Sequence, residues 1–135
     1  MSHYTAIDTQ IVSAEHLVQA LEDMGFCEVE VHEQPQPLRG WLGDARKQKA
    51  NVIIRKKHLD MASNDLGFVQ TRAGTFQACV SDFDRGRFGN PWLQKLTQRY
   101  AYHVTQSMLA DQAFHVTNEQ ETDDGTIHLS LRRMA

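Results

Sequence analysis

Apolar residues recur at spacings of three and four from Leu93 through Leu96, Tyr100 and Val104 to Met108, a single stripe that predicts a helix over residues 90–112. Asn90 is suited to cap this helix and Pro91 to open its first turn, while Gln94, Lys95 and Arg99 fall away from the stripe. A shorter helix follows Ser13: Leu17, Leu21 and Met24 form its stripe with Val18 alongside, and Gly25 stops it. Elsewhere the period is two. Cys27, Val29 and Val31 alternate with Glu28, Glu30 and His32, and Ile127, Leu129 and Leu131 alternate with His128, Ser130 and Arg132. Phe76, Ala78 and Val80 alternate with Gln77, Cys79 and Ser81, and Ala73-Gly74 predicts a hairpin joining this strand to Leu66–Arg72. A strand starting at Phe114 and Val116 turns at Asp123-Asp124-Gly125 into a closing hairpin.

The resulting order, β-α-β-β-β-β-α-β-β, predicts an α+β fold: a largely antiparallel sheet with two helices packed on one face. Residues 1–135 are expected to form a single globular domain, since 41% apolar and 23% charged residues is ordinary globular composition. Gln34 to Ala50 is predicted to be the principal irregular segment, because Pro35 and Pro37 interrupt regular structure and Gly40 and Gly43 follow. Lys57 to Asn64 is expected as a second polar connection.

No apolar run approaches the roughly 20 residues of a membrane-spanning helix, and Met1-Ser2-His3-Tyr4 does not begin a secretory signal. A cytoplasmic or plastid-stroma location, with no membrane partner, is the expectation. Cys27 and Cys79 are then expected to be reduced, at least one of them in the core; their separation of the chain leaves open whether they meet.

Charge adds a feature that the pattern alone does not show. Seven of the fourteen basic residues lie between positions 39 and 57, with Asp44 the one acid there, so this stretch carries +6 and the remainder −9. Arg39, Arg46, Lys47, Lys49, Arg55, Lys56 and Lys57 could neutralise phosphates, with Trp41 stacking on a base, or could meet an acidic protein surface with Trp41 and Leu42 as anchors. The net charge of −3 disfavours a general nucleic-acid binder, so a protein-facing surface is the preferred reading.

Catalytic chemistry finds little support. The seven histidines include no His-x-His or His-Glu-x-x-His pattern and no cysteine pair stands near them, so no metal is expected. Nucleophile elbows, phosphate loops and dinucleotide fingerprints are missing, and no cofactor is expected. Asp82-Phe83-Asp84 ahead of Arg85 and Arg87 reads foremost as a turn whose aspartates accept backbone hydrogen bonds and pair with the arginines. Arg99, Tyr102 and His103 share one flank of the second helix and form a candidate polar cluster. An enzyme of unknown reaction would place Asp82, Asp84, Arg99 and His103 around one cleft.

Several blocks together resemble a known family. Met1-Ser2-His3-Tyr4-Thr5, Thr9-Gln10-Ile11, Leu38-Arg39-Gly40-Trp41, Leu66-Gly67-Phe68, Thr97-Gln98-Arg99-Tyr100-Ala101-Tyr102-His103 and Gly125-Thr126-Ile127-His128-Leu129 follow the pattern of the hypothetical chloroplast reading frame 35 family. That family belongs to cyanobacteria, algal plastids and other bacteria, and the Thr-Gln-Arg-Tyr-Ala-Tyr-His run is the most specific block. The chain departs from the pattern around Lys57 to Asp65, which is longer, and at Phe83, where tryptophan is typical. The resemblance implies a plastid or bacterial setting and carries no catalytic residues. It also implies an accessory role beside an AAA+ ATPase. The expected function is therefore a non-enzymatic adaptor that binds protein partners through the basic segment, with nucleic-acid binding as the alternative.

Overall fold

A computed structural model describes residues 3–59, 63–111, 114–121 and 126–133. The elements follow the predicted order: β1 (Tyr4–Asp8), α1 (Ala14–Asp23), β2 (Glu30–Arg39), β3 (Ala45–Ile54), β4 (Leu66–Gln70), β5 (Phe76–Ser81), α2 (Asn90–Asp111), β6 (Phe114–Glu121) and β7 (Ile127–Arg133). The first five strands form one antiparallel sheet in the order β1-β5-β4-β3-β2. The closing hairpin forms as predicted but makes its own two-stranded sheet, which lies against α2. Its expected Asp123-Asp124-Gly125 turn lies outside the described residues.

Both helices cover one face of the five-stranded sheet. Val52, Ile54, Leu66, Phe68, Phe76, Ala78 and Val80 point from the strands into a core closed by Leu17, Ala20 and Leu21 of α1 and Leu93, Leu96 and Tyr100 of α2. Phe26, Phe88 and Trp92 stack edge to face at its rim. The predicted α2 stripe is buried over its first half only: Val104 is half-buried and Met108 exposed. Off the stripe, Gln98, Ala101, Tyr102 and Thr105 in the middle of α2 border a shallow groove against Thr126, Ile127 and Leu129. Ser13 caps α1 as expected, its Oγ accepting the His16 N–H. At α2 the first turn closes one residue earlier than predicted, with the Gly89 carbonyl accepting the Leu93 N–H.

The prediction of an irregular segment at Gln34–Ala50 is overturned. Those residues belong to β2 and β3, a long hairpin that turns at Gly40–Asp44. Proline is compatible with this because β2 is an edge strand, where a missing N–H can face solvent, and because its ladder shifts between Val31 and Gln36 and again between Pro37 and Arg39. The alternating strand expected from Cys27 begins instead at Glu30, leaving Cys27 exposed before it, while Cys79 is buried in β5. Both thiols are free.

The shifts carry the end of β2 across the face opposite the helices. Leu38 joins Ala50, Ile53 and Cys79 in a second, smaller core, with Tyr4 and Val69 packed against it. Leu38 sits on Gly67, where a Cβ would lie 2.6 Å from that of Ala50 and 2.8 Å from a Leu38 methyl. Only glycine leaves room for this approach.

Candidate functional site: a braced hairpin tip

Beneath the end of the β2–β3 hairpin runs a buried polar segment, Ser63-Asn64-Asp65. Asp65 is 1% exposed, and its carboxylate accepts the Arg39 N–H, the Lys56 N–H and Arg55 Nη1, each at 2.8 Å. Its own N–H donates to the Arg39 carbonyl and its carbonyl accepts the Tyr4 hydroxyl. Asn64 Oδ1 accepts the Trp41 N–H at 2.9 Å, and Lys56 Nζ donates to the Trp41 carbonyl at 2.7 Å. The turn is thus fixed at Arg39 and at both backbone groups of Trp41. Gly43, at φ +83°, closes it in a conformation that L side chains resist.

On this fixed turn the side chains of Trp41 and Leu42 are 53% and 73% exposed. Because the two are adjacent, they present one contiguous apolar patch on a rigid backbone, unlike the singly exposed Val12, Val31, Phe83 and Met108.

The basic residues divide into two sets. Arg55 is turned inward: its guanidinium forks onto Glu30 at 2.8 and 3.0 Å and reaches Asp65 and the Pro37 carbonyl. The Arg55 hydrogen bonds hold the Glu30 carboxyl down at about 2, with His32 assisting and partial burial opposing. The same bond to Glu30 raises Arg55 in turn. Arg46 pairs with Asp44 at 3.3 Å, and Arg39 donates to the Gly43 carbonyl. Lys47, Lys49 and Lys57 point into solvent. A shallow groove beside the hairpin is lined by His3, Ala45, Arg46, Lys47 and Gln48.

A second polar belt continues from the first. Asn64 Nδ2 donates to Ser81 Oγ, and the Ser63 and Ser81 hydroxyls both donate to Asp84, which is 4% exposed. The expected turn at Asp82-Phe83-Asp84 is present, with the Asp84 carbonyl accepting the Arg87 and Phe88 N–H groups. The pairing partners differ from expectation, because Asp84 takes serines and Arg87 lies over the Phe88 ring. Among the described residues no group of three or more potential metal ligands converges.

Arg99, Tyr102 and His103 do come together, around a residue the sequence analysis missed. Arg99 Nε and His103 Nε2 reach Asp23 Oδ2 of α1 at 2.9 and 2.6 Å, and the guanidinium covers the Tyr102 ring. Burial works against ionisation of Asp23, but the bonds from His103 and Arg99 outweigh it and lower its pKa. An acid in the last turn of a helix opposes the helix dipole, which was the available signal that Asp23 needs a cation. At the other end of α1, the Tyr100 hydroxyl accepts the Val12 and Ser13 N–H groups at 3.0 Å. The Thr97–His103 run is therefore a clasp that holds α1 at both ends. The four candidates for an enzymatic cleft divide between two sets of partners. Asp84 is held by Ser63 and Ser81 and Asp82 lies at the start of β1, whereas Arg99 and His103 hold Asp23. The groove beside Arg99 is lined by Asp23, Met24 and Lys95.

Ser63, Asn64 and Asp65 were also missed as site residues. A polar run carries no periodicity, and its burial depends on a hairpin folding over it from elsewhere in the chain.

No helix among the described residues is long and apolar enough to cross a membrane. Residues 20–130 match the model of a family described as a protein of unknown function, DUF1257. An uncharacterized protein ycf35 of Guillardia theta is 30% identical over 138 residues, covering 98% of both chains. Proteins of the same description from Cyanophora paradoxa and Pyropia yezoensis are 27% and 28% identical, again over 98% of both chains. No solved structure matches the chain. With a family model spanning most of its length and relatives aligned from end to end, the chain belongs to the DUF1257 family.

Proposed function

We propose that the protein is a non-enzymatic accessory domain that binds a protein partner through the tip of the β2–β3 hairpin. The observation that supports this reading is the exposure of Trp41 and Leu42 on a backbone pinned by Asn64, Asp65 and Lys56. A preorganised anchor loses little entropy on binding, so an exposed tryptophan there is worth more than one on a mobile loop. Lys47 and Lys49, exposed on the same hairpin, and Lys57, exposed next to the Lys56 that holds Trp41, favour a partner whose rim is acidic. An AAA+ ATPase is the first partner to test, on the family resemblance alone, and a cytoplasmic or stromal location accords with this role.

The test compares wild type with a Trp41→Ala, Lys47→Glu, Lys49→Glu variant in affinity capture from the native host, after circular dichroism shows equal folding. Partners captured by wild type should be lost from the variant, and Trp41→Ala alone should weaken a purified pair by roughly 30-fold or more. Identical partner sets would sink the reading. Titration with single-stranded RNA and DNA supplies the competing outcome: binding that falls steeply with salt would replace a protein partner with nucleic acid.

A further inference from the structure

The five-stranded sheet has two edges, and they are built differently. The β2 edge is defended by Pro35, Pro37 and two ladder shifts, devices that prevent another strand from adding. At the other edge, β1 has no proline, no lysine and no shift in its register with β5. Among the described residues it pairs with β5 alone.

Which groups β1 presents outward follows from its hydrogen bonds. The Asp82 N–H donates to the His3 carbonyl and the Thr9 N–H donates to the Phe76 carbonyl, so His3 and Thr9 turn their backbone toward β5. In an antiparallel ladder these directions alternate, so Thr5 and Ile7 also face β5 while Tyr4, Ala6 and Asp8 present N–H and C=O to the open side. Ala6 and Asp8 are exposed.

We propose that β1 is a self-association edge, joining a second copy of this chain in antiparallel register about Ala6. The spacing is self-complementary: Ala6 faces Ala6 of the second copy, and Tyr4 and Asp8 face each other, so each outward pair exchanges both of its backbone bonds. Charge agrees with the register. Asp8, the one acid of β1, meets Tyr4 rather than another Asp8, and it already accepts a hydrogen bond from Gln77 within its own chain. The central side chain is a methyl, which leaves the approach of the two backbones unobstructed. Joining the edges makes one continuous sheet across both copies. Each β2–β3 hairpin crosses the face opposite the helices and shares a groove with His3 at the start of β1, while the joint itself uses only the β1 backbone and does not rest on what the hairpin binds.

The test uses the full chain in sedimentation equilibrium up to about 1 mM, since a strand-edge contact is at the small end of specific interfaces. Wild type should dimerise. Ala6→Pro removes an N–H that faces solvent in the monomer and is tolerated at edges, so it should weaken dimerisation at least tenfold with unchanged circular dichroism. A second measurement covers the case in which Ala6→Pro fails to fold. In a Cys27→Ser background, Ala6→Cys places the two new thiols on facing residues about 5.5 Å apart at Cα, within disulfide range. It should give an intermolecular disulfide on mild oxidation, whereas Asp8→Cys, with its two copies roughly 13 Å apart along the strands, should not. A monomer throughout the concentration range would overturn the proposal. So would a dimer that Ala6→Pro leaves intact, or equal crosslinking through positions 6 and 8.

Discussion

Replacing Asp65 by asparagine removes one acceptor from the brace beneath the hairpin without changing its shape. The carboxylate receives three donors: Arg39 N–H and Arg55 Nη1 on Oδ2, and Lys56 N–H on Oδ1. An asparagine has one acceptor oxygen and must turn its NH2 toward the remaining donors. The less costly orientation keeps the oxygen on the Arg39 and Arg55 side, leaving the Lys56 N–H buried against another donor, at about 2 kcal/mol. Arg55 also loses a charged partner, but it retains Glu30 and is partly solvated, so this adds about 1 kcal/mol. The sum, about 3 kcal/mol, is a large fraction of the stability of an ordinary domain. At about 2.1 cal/mol/K per residue over 135 residues, it corresponds to a fall in Tm of about 10 °C. Urea denaturation followed by far-ultraviolet circular dichroism should show the midpoint falling by about 1.5 M at an unchanged slope of about 2 kcal/mol/M. Asp44→Asn serves as control, since its pair with Arg46 is half exposed and its loss should stay within about 0.5 kcal/mol. An Asp65→Asn loss no larger than that of the control would refute the account of the brace.

Two further outcomes follow from the same geometry. Cys27 is exposed, whereas burial pushes the Cys79 thiol up to about 11, so a thiol reagent at pH 8 should modify one cysteine rapidly and the second only as the protein unfolds; equal rates would contradict the placement of Cys79. Glu30 is held at about 2, foremost by Arg55, against a usual value of 4.5, so the stability it contributes is complete above about pH 4.5 and lost as pH falls toward 2. Urea midpoints of wild type and Glu30→Gln should therefore converge between pH 5 and about pH 2, and a gap constant across that range would show that the Arg55–Glu30 pair is not what shifts Glu30.

Much of the fold was legible because it rests on local periodicity. The α2 stripe, the Ser13 cap, the Phe76-Ala78-Val80 alternation and the Ala73-Gly74 turn each rest on spacings of a few residues, and the structure keeps the last three and the first half of the stripe. The Gln34–Ala50 segment failed for a physical reason: two prolines forbid a central strand but not a bulged edge, and edge position is a property of the whole sheet. The basic cluster was visible as charge. Its division into an inward Arg55 and outward Lys47 and Lys49 was not, because that depends on Glu30 and Asp65, twenty-five and ten residues away, arriving on either side of one guanidinium.

The most specific family block shows the same division. The Thr97–His103 run reads as a helix flank with a polar cluster, and the sequence by itself determined that Arg99 and His103 share a side. That this side grips Asp23, while Tyr100 seals the start of α1, was decided only when the two helices packed together. Periodicity determines which face of an element is apolar, since side-chain spacing is local. The extent to which that face is buried depends on what packs against it, as the exposed Met108 end of the α2 stripe shows. Polar partners and edge strands were decided by tertiary structure, because hydrogen-bond energy depends on distances of about 3 Å that only the assembled sheet and helices set.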